Sequence, residues 1–169
     1  MTTTPDTEPP VSELAQLRAW MDRFRETVER KTADLDPSQL AERSVSPSTL
    51  SLLGLVRHLA QMEHHWFVLV LQQADEPKPF VPDGDWEAQF RDAVGTTGCA
   101  DEAFSTWRSV IGRADAFLDE LPDEALSVVI GEGDVSTIRD VLLQVLQEYA
   151  RHAGHMDLLR ECVDGRTGE

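Results

Sequence analysis

Apolar residues recur at helical spacing in four stretches of this chain. In residues 11–35, Leu14, Leu17, Met21, Phe24 and Val28 follow in alternating steps of three and four, which lines them along one face. Asp36, Pro37 and Ser38 end that helix, because proline cannot continue the hydrogen-bond ladder. Residues 38–43 allow one short helical turn. A second helix is predicted over residues 49–74, opened by Pro47 and Ser48, with the stripe Leu52, Leu55, Leu59, Met62, Trp66 and Val70. A third spans residues 101–121, with Phe104, Trp107, Ile111, Ala114, Leu118 and Leu121 on one face and Pro122 as its stop. The fourth starts at the N-cap Ser136 and runs to Cys162, with Gly165 suited to the reversal that follows. Its stripe is Ile138, Leu142, Val145, Tyr149, His152, Met156 and Leu159.

Between the second and third helices lie residues 75–100, with Pro77, Pro79, Pro82, Gly84, Gly95 and Gly98. A connection that long is functional or crosses the length of a bundle. Phe80, Trp86 and Phe90 within it can pack over something, and Trp86 is a candidate cover for a site. Residues 126–130 suggest a short extended piece bounded by Gly131 and Gly133. No helix can bury its stripe alone, so the four predict an all-α four-helix bundle, one domain over residues 10–169. The Thr/Pro/Glu-rich residues 1–9 predict a disordered tail.

Composition narrows the partners. Lys and Arg number 15 against 31 Asp and Glu, a formal charge of −16 that disfavours nucleic acid and anionic membrane surfaces. Most of these carboxylates belong to solvated faces. Cys99 and Cys162 lack metal or disulfide spacing, and no basic residue is placed beside either in sequence. Neither a leader pattern nor a long apolar run is evident, so a cytoplasmic location is expected. Exposed aromatics such as Trp20 suggest a homodimer surface.

One polar anomaly stands out. At about 100° per residue, Val145 and Met156 lie within about 40° of His152 on one side. Glu148 lies about 40° to the other side, His155 about 60° and Gln144 about 80°. An imidazole on the core stripe, edged by a carboxylate, costs several kcal/mol unless partners satisfy it. A metal ion is one answer, since Glu and His four apart present two ligands to one point. His58, at the border of the second helix's stripe, offers a third. His64 lies off that face, and His65 is two turns along it. The alternatives are a hydrogen-bonded core histidine with Glu148 paired to Arg151, or a His152/His155 ligand pair.

The run from Thr49 to Ala60, TLSLLGLVRHLA, followed by Glu63, Trp66 and Phe67, resembles the second helix of the DinB-like superfamily. The run from Glu148 to Glu161, EYARHAGHMDLLRE, resembles the fourth-helix signature of the mycothiol-dependent branch once labelled mini-circle protein, and the ending from Val163 is also similar. The likeness extends from about Leu14 to the end. It implies a bundle in up-down-down-up order with a long crossover between the second and third helices. It implies Zn or Ni held by one His of the second helix and two residues four apart on the fourth. In that branch the pair is Glu and His, so the implied ligands are His58, Glu148 and His152, with His155 beside them. Two departures from the pattern are Gln144, where relatives often carry His, and Met156, where Ala is common.

The resemblance implies a metal-dependent S-transferase that passes a low-molecular-weight thiol of the mycothiol type to small electrophiles, in detoxification or specialised metabolism. His155 and Gln144 would orient ligands or bind water. The alternatives are a non-catalytic metal- or ligand-binding stress-response protein and a metal-dependent hydrolase. No Ser/His/Asp elbow or phosphate loop points to another chemistry.

Overall fold

The computed structural model describes residues 11–131 and 133–167; the tail expected at 1–9 lies outside them. Helix α1 is Glu13–Thr32, capped by the Ser12 hydroxyl. Its Leu14, Met21 and Val28 are buried, with Leu17 and Phe24 packed against them. A one-turn helix, α2 (Pro37–Leu40), follows in a capping box formed by Asp36 and Gln39. Helix α3, Leu52–Glu63, starts at the N-cap Ser51, later than Pro47 and Ser48 suggest. It continues as a π-helical stretch, His64–Leu71.

That wider winding alters the predicted stripe. The Gln72 amide reaches back five residues to the Phe67 carbonyl. Phe67 and Val68 turn fully inward, and Trp66 and Val70 are only partly buried.

The crossover carries a 3₁₀ turn at Pro82–Gly84 and the short helix α4 (Ala88–Arg91). Helix α5, Thr97–Asp119, starts four residues before the expected 101 because Thr96 caps it. A 3₁₀ turn at Asp123–Ser127 and a single bridge between Val129 and Thr137 take the place of the extended piece expected at 126–130. Helix α6, Ile138–Asp164, is capped by Thr137 rather than Ser136 and ends at Gly165, whose φ of 75° suits glycine.

Polar contacts between helices mark their directions. Glu13 meets Arg139 at one end of α1 and α6, and Lys31 meets Asp157 towards the other, so these two run parallel. Arg57 lies by Cys99, and Arg113 pairs with Glu76 beyond the far end of the π segment, so α3 and α5 also run parallel. Arg18–Asp119 and Glu29–Arg108 set α5 antiparallel to α1. The order is therefore up-down-down-up. Two parallel neighbours in sequence need a connection that returns the length of the bundle, which explains the crossover. Trp20 is exposed at 53%, with the Arg23 guanidinium over its ring.

Candidate metal centre

Three side chains from two helices converge at one point. His58 comes from the middle of α3; Glu148 and His152 lie one turn apart on α6. One candidate ligand atom from each lies within 4.8 Å of the others. His58 Nε2 is 3.5 Å from Glu148 Oε2, and His152 Nε2 is 3.4 Å from the same oxygen. The two imidazoles meet edge to face with ring centres 4.6 Å apart. The side chains are 19%, 15% and 10% exposed for His58, Glu148 and His152, so the cluster sits just under the surface with access from outside.

The donor set fits a divalent cation. His58 Nε2 is buried and has no hydrogen-bond partner. Leaving such an atom unpaired costs about 1–3 kcal/mol. The burial of His152, reinforced by the His58 ring, holds its imidazole down to about 4 against the attraction of Glu148, so it is neutral at pH 7. The His58 ring lowers the Glu148 carboxyl below its usual range, although burial opposes this. Two imidazoles and a carboxylate, directed at one point, are a donor set that suits a divalent cation.

The neighbours of each of the three side chains are defined. His155 Nδ1 lies 3.2 Å from His152 Nδ1, which engages the ring nitrogen of His152 that faces away from Glu148. Gln144 donates from Nε2 to Glu148 Oε1 at 3.3 Å. Arg151 Nη1 is 3.9 Å from the same oxygen. His64 and His65 stand apart: His64 faces Glu76 at 3.5 Å, and His65 packs on Trp66.

The crossover reaches the site, through side chains other than the one expected. Phe90 stacks on the His58 ring at 5.4 Å, and Gln89 Oε1 lies 3.3 Å from His58 Nδ1. Trp86 is itself 48% exposed, with Lys78 over its ring. A Cβ at Gly54 would meet the Phe90 ring at an ordinary 3.4 Å and the Ser51 hydroxyl at a tighter 3.2 Å. Gln89 was missed because nothing local to residues 86–90 signals a partner 31 positions away. Cys99 also differs from expectation. The fold brings Arg57 Nη1 to 3.5 Å from its sulfur, a basic neighbour that sequence spacing does not reveal.

The family model described as mycothiol-S-transferase matches residues 16–165. No curated protein matches the chain. The crystal structure of a conserved protein from Enterococcus faecalis is similar in fold, with a TM-score of 0.70 at 19% identity, over 93% of this chain and 100% of that one. A family match over almost the whole bundle, on a chain whose second and fourth helices carry the expected motifs, means that this chain belongs to the mycothiol S-transferase family of DinB-like proteins.

Proposed function

We propose that this protein is a metal-dependent S-transferase that joins a low-molecular-weight thiol of the mycothiol type to a small electrophile. The observation that carries the reading is the buried, unpartnered Nε2 of His58, held beside Glu148 and His152. His58, Glu148 and His152 would hold a Zn or Ni ion through three protein ligands. When bound, such an ion supplies Lewis acidity that lowers the pKa of a coordinated thiol. The transfer forms a sulfur–carbon bond; the thiol proton is lost to a base, and any leaving group departs with its bonding electrons. His155 fixes the His152 ring, and Gln144 steadies the far oxygen of Glu148. The acidic surface suits a small-molecule role in the cytoplasm rather than nucleic acid binding.

The test is the metal content of untagged protein purified without chelator, for the native chain and His152→Ala. The expected result is close to one equivalent of Zn or Ni in the native chain, lost in the variant. Metal-loaded protein should then consume a thiol with a haloaromatic electrophile, and the variant should not. A native chain that neither carries nor takes up metal would overturn the reading and leave a non-catalytic binding role.

A further inference from the structure

Gln89 sits on α4, in the middle of the crossover, and is 3% exposed. Its amide Nε2 donates to the Trp86 carbonyl at 2.8 Å. A carbonyl oxygen can only accept, so this contact identifies the nitrogen end of the amide. The other end, Oε1, is therefore the atom that faces His58 Nδ1 at 3.3 Å. An amide oxygen also only accepts, so Nδ1 must carry the proton. A ring that carries its proton on Nδ1 alone presents its lone pair at Nε2, which points to Glu148 and lacks a hydrogen-bond partner. In the opposite tautomer, two acceptors would face each other across the 3.3 Å Gln89 contact; in this one the facing acceptors are Nε2 and Glu148 Oε2, at the longer 3.5 Å, where a cation between them would relieve the repulsion.

Gln89 is itself held. Its main-chain carbonyl accepts from Arg57 Nε at 3.0 Å, and Arg57 is a buried residue that immediately precedes His58 on α3. Its neighbour Phe90 lies on the His58 ring. One short helix thus grips two successive residues of α3 and sets the plane of the second.

We infer that Gln89 is a positioning residue that fixes the tautomer and ring plane of His58, leaving Nε2 free as a ligand atom. Its consequence for metal binding rests on the ligand set proposed above; the tautomer does not. A carboxamide or carboxylate behind a ligating imidazole fixes its orientation and raises its basicity, and loss of that partner typically costs about 10- to 100-fold in metal affinity.

The test compares the native chain with Gln89→Leu and Gln89→Glu. Long-range proton–nitrogen NMR on metal-free protein reads the His58 tautomer, and chelator competition reads Zn affinity. Nδ1–H is expected in the native chain, with Nε2–H appearing in Gln89→Leu. Zn affinity should fall about 10- to 100-fold in Gln89→Leu and recover in part in Gln89→Glu, which keeps the acceptor for Nδ1 while losing the donor to the Trp86 carbonyl. A residue that only fills space predicts the reverse ranking, with leucine tolerated and the buried charge of glutamate harmful. Nε2–H in the native chain, or that reversed ranking, would overturn the inference. A native chain that shows Nδ1–H but takes no metal would defeat the proposed function and leave the tautomer assignment standing. Urea unfolding of each variant separates lost affinity from lost folding.

Discussion

Glu148 and Tyr149 are neighbours on α6, and His58 and Glu63 lie little more than one turn apart on α3. The two polar clusters they build are opposites. Around Glu63, every strong group has a partner. Arg25 donates to its two oxygens at 3.0 and 2.8 Å, and the Tyr149 hydroxyl donates to Oε1. Trp107 Nε1 donates to the same hydroxyl at 2.9 Å. Arg25 also reaches Asp22 at 3.1 Å and Asp115 at 2.8 Å. Burial opposes the charge of Arg25, but Glu63 more than offsets it, and its pKa is raised. Burial and Glu63 together keep the Tyr149 phenol protonated well above its ordinary range. Around Glu148, two imidazole nitrogens turn towards one carboxylate oxygen at 3.5 and 3.4 Å, and one of them has no hydrogen bond. The difference teaches how to tell scaffold from site: a missing partner alone does not mark a site, since Gln61, His64, His65 and Gln72 also bury an unpaired nitrogen, but an unpaired nitrogen that converges with a second imidazole and a carboxylate on one point does.

The sharpest way to break this comparison is to remove one carboxylate from each cluster. Glu63→Ala leaves the Arg25 guanidinium buried against a void, and should cost about 3–5 kcal/mol, the usual penalty for halving a buried ion pair. Glu148→Ala, measured with chelator present, should change stability by less than about 1 kcal/mol, because it relieves a cluster that is already incompletely paired. Urea unfolding at unchanged m-value gives both numbers. Equal losses would mean that both clusters are structural.

The bundle was readable in advance because its information is local. The stripe from Leu14 to Val28 and the stops at Pro37 and Pro122 are set within one helix at a time. The α6 side of the site was equally local: Glu148 and His152 share one turn, so the periodicity exposed them. His58 could be offered from its place at the border of the second helix's stripe, but only the resemblance joined it to Glu148 and His152, because those partners are on another helix. Gln89, Arg57 beside Cys99 and the Glu63–Arg25 pair were not legible. Each depends on how the crossover or α1 closes on α3, which no single window of sequence encodes. The inward turn of Phe67 and Val68 was missed for another reason. It follows from π winding, and a reading at 3.6 residues per turn cannot anticipate that.

The second prediction sharpens the contrast through pH. In the unfolded chain His152 takes up its proton near 6.5; in the metal-free folded chain it does so only at about 4. Between these values the unfolded state binds more protons, so stability rises with pH and is lost on acidification across the window. A single proton contributes a slope of at most about 1.4 kcal/mol per pH unit. His152→Leu removes that group, and its stability should vary less steeply from pH 6.5 to 4. Parallel curves for the native chain and the variant in chelator would show that His152 titrates normally, contrary to its burial.

The smallest effect is expected at Gln144, one of the two positions where the sequence departs from the pattern it resembles. Its contact with Glu148 is a long hydrogen bond at 3.3 Å, and it engages Oε1. The two imidazoles address the other oxygen, Oε2. Arg151 already stands 3.9 Å from Oε1 and can move in when the amide is removed. Gln144→Ala should therefore shift stability by less than about 0.5 kcal/mol, as partly exposed substitutions usually do. Its metal affinity should change by no more than a few-fold, well short of the 10- to 100-fold typical of partners that orient a ligand, the range expected for Gln89→Leu. Chelator competition on Gln144→Ala and Gln89→Leu measured side by side decides this. A loss at Gln144 as large as that at Gln89 would mean that the carboxylate, and not only the α3 imidazole, depends on an outer partner for its aim.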